Sequence, residues 1–171
     1  MMYNVLITGA ASGIGRALAL EFHAQGHTVW ATARDPQKLD ELKQKGIHVA
    51  KLDITSKADI DELTRMLKAQ QADISLLVNN AGYGQMGPLA EMPLDKLRAQ
   101  LETNVVAQVA LTQALIPDMV ARGDGRIVNI GSVSGILTTP FSGAYCASKA
   151  AFHCVTDALR MELAPFGIRV I

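Results

Sequence analysis

At 171 residues and 18.3 kDa the chain is long enough to fold as one domain with a single sizeable core, without disulfides or a structural metal. Hydrophobic residues make up 49% and charged residues 19%, which excludes a disordered or collagen-like chain. Sixteen Lys plus Arg balance sixteen Asp plus Glu, so no long-range field draws in DNA, RNA or an anionic membrane, and no nucleic-acid partner is expected.

Met1 to Thr8 is apolar but lacks the basic region and cleavage site of a signal peptide, and it runs straight into glycines. No unbroken apolar run reaches the ~18 residues of a membrane span, so none is expected. Tyr3 to Thr8 is predicted as a buried strand, followed by a helix over Ile14–Gln25 that Gly26 stops. The unit repeats: strand His27–Thr32, helix Pro36–Lys45 closed by Gly46, strand Ile47–Leu52, and helix Ser56–Gln70 with Ser56 as its cap. Next come strand Ile74–Asn79, a long helix Leu94–Ala121 that Pro117 should kink or end, and strand Gly125–Ile130. A helix over Gly143–Ala164, with Gly167 just beyond it, leads to a strand at Ile168–Ile171. Cys146 and Cys154 fall eight residues apart on that helix, too far along its axis to pair, which fits a reducing cytoplasm. His23, His27, His48 and His153 are scattered, so no metal site is expected.

Strands alternating with crossover-length helices predict a doubly wound α/β fold: a parallel sheet between two helical layers, α/β/α. Ligands of such sheets lie beyond the carboxyl ends of the strands, near the switch in strand order. Thr8-Gly9-Ala10-Ala11-Ser12-Gly13-Ile14-Gly15 occupies that position after the first strand. Glycines let the backbone turn sharply and approach a pyrophosphate, and the helix start offers free N–H groups, so Gly9, Ser12, Gly13, Ile14 and Gly15 are expected to hold a dinucleotide as in a Rossmann domain. The bland reading is a tight turn between strand and helix.

NAD-selective sites place a carboxylate about 20 residues past the glycines. Ala33 stands where it would be sought and Arg34 follows, so NADP is expected over NAD, because a guanidinium suits a 2′-phosphate. Asp35 is either a helix cap before Pro36 or a ribose acceptor. Asp53 is either an acceptor for the adenine amino group or a turn residue.

Asn79-Asn80-Ala81-Gly82 follows the fourth strand, Ser132 follows the fifth, and Tyr145 precedes Lys149 by one helical turn. A Tyr/Lys pair at this spacing is usually only a helix-surface contact. Its chemical possibility is larger: a phenol titrates near 10, so use as a base near neutrality requires about 4 kcal/mol of phenolate stabilisation. An ammonium at ~4 Å in an effective dielectric of 20 supplies about that much. Read singly, Asn104 is a polar helix residue, Ser132 a turn hydroxyl and Lys149 a solvated lysine; as a set on one sheet edge they point to chemistry.

Together Thr8-Gly9-xxx-Gly13-x-Gly15, Asn79-Asn80-Ala81-Gly82, Asn104, Ser132 and Tyr145-Cys146-Ala147-Ser148-Lys149 resemble the non-extended branch of the short-chain dehydrogenase/reductase family, in the family's order. The resemblance implies that Tyr145 is the general acid/base, that Lys149 lowers its pKa and holds the nicotinamide ribose, and that Ser132 orients the carbonyl. It implies that Asn104 helps hold a proton-relaying water, that Asn79 braces the central strand, and that Asn80, Ala81 and Gly82 lie beside the cofactor. Hydride would pass between nicotinamide and an alcohol or ketone carbon.

Residues 1–171 are expected to be a single dinucleotide-binding domain that lacks the family's substrate-covering segment and last strand. Tyr83, Gln85, Met86, Ile136, Leu137, Pro140 and Phe141 are the surviving pocket candidates, and their apolar character predicts a lipophilic alcohol or ketone. Small residues on the Tyr145 helix and the helix before it imply, by resemblance, a homodimer or homotetramer. The alternative is a non-catalytic, dinucleotide-binding redox sensor on the same fold.

Overall fold

The computed structural model describes residues 2–171. Its strands are β1 (Asn4–Ile7), β2 (Thr28–Ala33), β3 (His48–Lys51), β4 (Leu76–Asn79), β5 (Gly125–Asn129) and β6 (Ile168–Val170). They form one sheet in the order β3-β2-β1-β4-β5-β6, and every pairing is parallel. The order reverses between β1 and β4, so the chain leaves neighbouring strands in opposite directions there and opens a crevice at their carboxyl ends.

The helices are α1 (Gly13–Ala24), α2 (Asp40–Gln44), α3 (Lys57–Ala69), α4 (Leu94–Leu101), α5 (Ala107–Arg122) and α6 (Gly143–Leu163). Alternation along the strands sends Leu6, Trp30, Leu77 and Ile127 to one face, where they meet Leu63, Leu67, Leu111, Leu115 and Met119 of α3 and α5. Val5, Ile7, Val29, Ala31 and Val78 face the other way, onto Ala19 of α1 and Leu42 of α2. A sheet covered on both faces explains why β1 and β4 read as continuous apolar runs. The predicted three-layer α/β/α architecture is the observed one.

Ser56 caps α3 as expected: its hydroxyl accepts from the Asp59 N–H at 3.2 Å. Asp59 in return accepts from the Asp53 N–H at 2.9 Å, and that bond is the first cause of its carboxyl lying below its ordinary range, with Lys51 adding to it. A lowered carboxyl pKa adds stability that is present above the ordinary value and is lost as the pH falls through the lowered one. Ser56→Ala should lower stability by about 1 kcal/mol in urea denaturation.

Two expectations need correction. The predicted helix Pro36–Lys45 is a 3₁₀ turn over Pro36–Leu39 followed by the short α2, because Pro36 enters behind the Asp35 cap and the segment tightens there. The long helix does not end at Pro117, which lies inside α5, and α5 runs on to Arg122 and a left-handed cap at Gly123. Pro117 and Gln113 are exposed, so water takes the carbonyl that the proline leaves without a donor. The irregularity sits earlier, in a π turn over Glu102–Val106 centred on Asn104. The helical run Leu94–Arg122 is long and apolar enough to cross a membrane by length and composition, but it lies along the sheet with Leu111, Leu115 and Met119 buried in the core.

Candidate functional site

The crevice is built by Thr8, which sequence reasoning used only as the first letter of a motif. Its buried hydroxyl donates to the Val78 carbonyl at 3.3 Å and accepts from the N–H groups of Asn80 and Ala81, each at 2.9 Å. The Asn80 side chain donates back to the carbonyls of Thr8 at 2.9 Å and Gly9 at 3.3 Å. The glycine turn after β1 and the Asn80–Gly82 turn after β4 are therefore one hydrogen-bonded unit at the point where strand order reverses.

That closeness decides two glycines. Gly9 has φ +66°, and a Cβ there would lie 2.9 Å from Ala81 Cα. A Cβ on Gly15 would lie 2.5 Å from Asn80 Nδ2 and 2.6 Å from the Gly9 carbonyl oxygen. Gly13 differs: its φ is +53°, yet a Cβ would meet nothing within 4 Å, so its surroundings are open. Ser12 stands extended before α1 and makes no side-chain cap, which leaves the first-turn N–H groups of α1 free for an anion.

A cleft of about 1280 Å³ runs from this cradle past Gly9, Ser12, Gly13, Ile14, Arg34, Asp53, Asn80, Ala81 and Gly82 to Tyr83 and Thr103. All the residues expected along the adenosine and pyrophosphate half, Gly15 apart, line this one surface, and the backbone cradle fits a dinucleotide. Arg34 is exposed at the far end, and Lys38, which sequence reasoning did not single out, lines the same end. Asp35 takes the capping role of its two alternatives, accepting from the Gln37 N–H at 3.0 Å. Asp53 accepts from both the Thr55 N–H and hydroxyl, at 3.0 and 2.7 Å, so it serves the turn while still lining the cleft.

The second group sits on the same edge, beyond β5 and on α6. Lys149 is only 8% exposed, and its Nζ donates to the Ile130 carbonyl at 2.7 Å. Burial pushes its pKa below the ordinary lysine value, while the carbonyl favours the ammonium form. Tyr145, one turn earlier, is half-buried, and a Cβ on Gly84 would sit 3.6 Å from its ring. The Ser132 hydroxyl accepts from the Ser134 N–H at 3.1 Å, which leaves its own hydrogen for another acceptor. Asn79 braces the sheet as expected, donating to Thr112 of α5 and Asn129 of β5, each at 2.9 Å.

Asn104 is buried, and both its amide hydrogens are taken, by the Tyr83 carbonyl at 2.9 Å and the Ser148 hydroxyl at 3.0 Å. Its oxygen accepts from the Tyr83 N–H at 3.1 Å. The side chain is thus a clamp on the Tyr83 loop, and two further amides extend it. Gln100, fully buried, accepts from the Gln85 N–H at 2.6 Å and donates to the Tyr83 carbonyl at 2.8 Å, while Gln108 donates to the Ala81 carbonyl. Spacing of four residues puts Gln100, Asn104 and Gln108 on one helical stripe, the signal that would have found them. Met86, Ile136, Leu137, Pro140 and Phe141 remain exposed around the Tyr145 end.

The family model for short chain dehydrogenases matches residues 3–171. The chain belongs to the short-chain dehydrogenase family. Within it, the chain is 38% identical to the uncharacterized oxidoreductase YbbO of Escherichia coli (strain K12) over 171 residues, covering 99% of itself and 64% of that relative. A short-chain dehydrogenase from Streptomyces avermitilis superposes with TM-score 0.93 at 40% identity, over 97% of this chain and 62% of that one. Another, from Sphingobium yanoikuyae in complex with NADPH, gives TM-score 0.87 at 36% identity, over 97% and 67% of the two chains. The six-stranded parallel sheet is that of the family's classical, non-extended branch.

Proposed function

We propose that residues 1–171 are the dinucleotide-binding and catalytic part of an NADP-dependent oxidoreductase that interconverts an alcohol and a ketone, with a lipophilic substrate. The observation that carries this reading is the placement of Lys149. A buried ammonium is costly unless it is hydrogen-bonded, and this one is held by the Ile130 carbonyl just beyond β5, one turn from Tyr145 on α6. Binding a dinucleotide would use that ammonium alone; the Tyr145 phenol one turn away and the free Ser132 hydrogen add the proton chemistry that a sensor has no need of.

When bound, the nicotinamide supplies hydride chemistry that no side chain provides. Gly9, Ser12, Gly13, Ile14 and Gly15 would hold the pyrophosphate, with Asn80, Ala81 and Gly82 beside the nicotinamide half and Asp53 near the adenine. Tyr145 gives the substrate oxygen its proton in reduction and takes it back in oxidation. Lys149 steadies the negative charge that develops on the phenol oxygen, and its remaining N–H donors would hold a ribose hydroxyl of the bound cofactor. Ser132 donates its free hydrogen to the substrate oxygen. Asn104 holds the Tyr83 loop, its oxygen and both amide hydrogens engaged by Tyr83 and Ser148.

Arg34, with Lys38 beside it, favours NADP: a guanidinium pairs with a 2′-phosphate, while Asp35 at the same end of the cleft has one carboxylate oxygen engaged by the Gln37 N–H. Arg34→Ala should weaken NADPH binding by roughly tenfold or more and leave NADH within about twofold, read by cofactor fluorescence titration. An unchanged preference between the two cofactors would contradict the phosphate assignment.

The exposed rim of Met86, Ile136, Leu137 and Phe141 carries no charge to grip a phosphate or carboxylate, which supports an apolar ketone or alcohol. Exposed Val106 and Ala147 on the adjoining helical faces suit a homodimer or homotetramer. Unpaired Cys146 and Cys154 suit a cytoplasmic location.

A further inference from the structure

We infer that His153 is a positioning residue for Ser132 in the reaction proposed above. It follows Lys149 by four residues and Tyr145 by eight, which puts all three on one stripe of α6. Its Nε2 accepts the backbone N–H of Ser132 at 3.3 Å, so the helix that carries the phenol and the ammonium also holds the main chain that carries the serine.

The glycines on either side of Ser132 give the independent observation. A Cβ on Gly131 would lie 2.5 Å from His153 Nε2, and one on Gly135 would lie 2.7 and 2.8 Å from its Cε1 and Nδ1. Neither glycine is among those with positive φ, so backbone conformation does not require them; at Gly131 the imidazole takes the space, and at Gly135 the imidazole shares it with the Lys149 backbone, whose carbonyl carbon lies 2.9 Å from the Cβ position. The ring is packed into the loop from both ends while bonding its middle.

The consequence is a donor of fixed direction. His153 sets the height of the Ser132 backbone above α6, and the Ser134 N–H, donating to Ser132 Oγ at 3.1 Å, sets the rotation of the hydroxyl. What is left is a single O–H hydrogen, free for the substrate oxygen. The arrangement needs Nε2 as an acceptor, with the imidazole hydrogen on Nδ1. Sequence reasoning set His153 aside with the other scattered histidines, because its partners lie some twenty residues earlier in the chain.

Two substitutions in the full-length protein separate positioning from space-filling. His153→Leu keeps bulk and removes the acceptor, whereas His153→Gln places an amide oxygen near the position of Nε2. The expected result is a fall in kcat of roughly 10- to 100-fold for His153→Leu, with the KM for NADPH within about twofold, and recovery to within about threefold of the parent for His153→Gln. Gly131→Ala, which intrudes on the ring from the other side, should reproduce the Leu phenotype. Full kcat in His153→Leu, or equal loss in the Leu and Gln variants, would overturn the inference. Hydrogen exchange at the Ser132 amide reads the contact independently of turnover: it should quicken in His153→Leu and not in His153→Gln, and equal exchange in all three proteins refutes it. The parent's own NADPH oxidation tests the proposed function separately.

Discussion

Tyr145→Phe in the full-length protein should reduce kcat for ketone reduction by about 10³-fold and leave the Kd for NADPH within about threefold. The substitution removes one oxygen from a half-buried side chain whose ring rests beside Gly84, so packing is kept and only the proton donor is lost. The cofactor cradle lies elsewhere on the crevice, among Gly9, Ser12, Gly13 and Ile14, and does not depend on the phenol. NADPH oxidation with a panel of aromatic ketones, retinal and steroids is the assay. A variant that keeps its turnover would show that some other group moves the proton.

Gly15→Ala should do damage of a different kind. Its new methyl would lie 2.5 Å from Asn80 Nδ2 and 2.6 Å from the Gly9 carbonyl oxygen, and the carbonyl belongs to backbone that cannot swing aside. Overpacking of this sort costs about 1–3 kcal/mol of stability. It also displaces Asn80, whose bonds to Thr8 and Gly9 tie the two halves of the cradle together, so NADPH affinity should fall by roughly tenfold or more. Gly13→Ala is the control for stability, not for cofactor affinity, because Gly13 lines the cleft: no protein atom meets the new methyl and only the left-handed backbone resists, at about 1–2 kcal/mol. Urea denaturation of both variants checks the contrast in stability, and cofactor titration of Gly15→Ala checks the loss of affinity. Equal losses at the two positions would mean that backbone conformation, not the contact with Asn80, governs the turn.

Much of the fold was legible because the physics is local. Buried parallel strands read as unbroken apolar runs, as Val5–Ile7 and Leu76–Val78 do, and the intervening helices carry their own stops. The crevice was legible for a related reason: its glycines, Asn80 and Arg34 all come just after strands, and such residues share one edge in a doubly wound sheet. The π turn was not legible, since nothing in Glu102–Val106 marks it. It accompanies Asn104 bonding to the Tyr83 backbone and Ser148, contacts that exist only after folding. Pro117 misled for the opposite reason, as a local rule that solvent exposure relaxed. Gln100 and Gln108 show in the sequence only as a four-residue spacing with Asn104, and His153 only as one scattered histidine, because the backbone groups of distant loops that each one bonds leave no trace in side-chain identity.

The most direct test of the central claim, that Tyr145 and Lys149 face a carbonyl beside a bound nicotinamide, is a crystal structure of the full-length protein with NADPH. The account predicts the 2′-phosphate against Arg34, the nicotinamide ribose within hydrogen-bond distance of Lys149 Nζ, and the Tyr145 hydroxyl beside the nicotinamide ring with room for one carbonyl between them. A nicotinamide ordered away from Tyr145, or a cofactor bound outside the Gly9–Gly15 cradle, would contradict it.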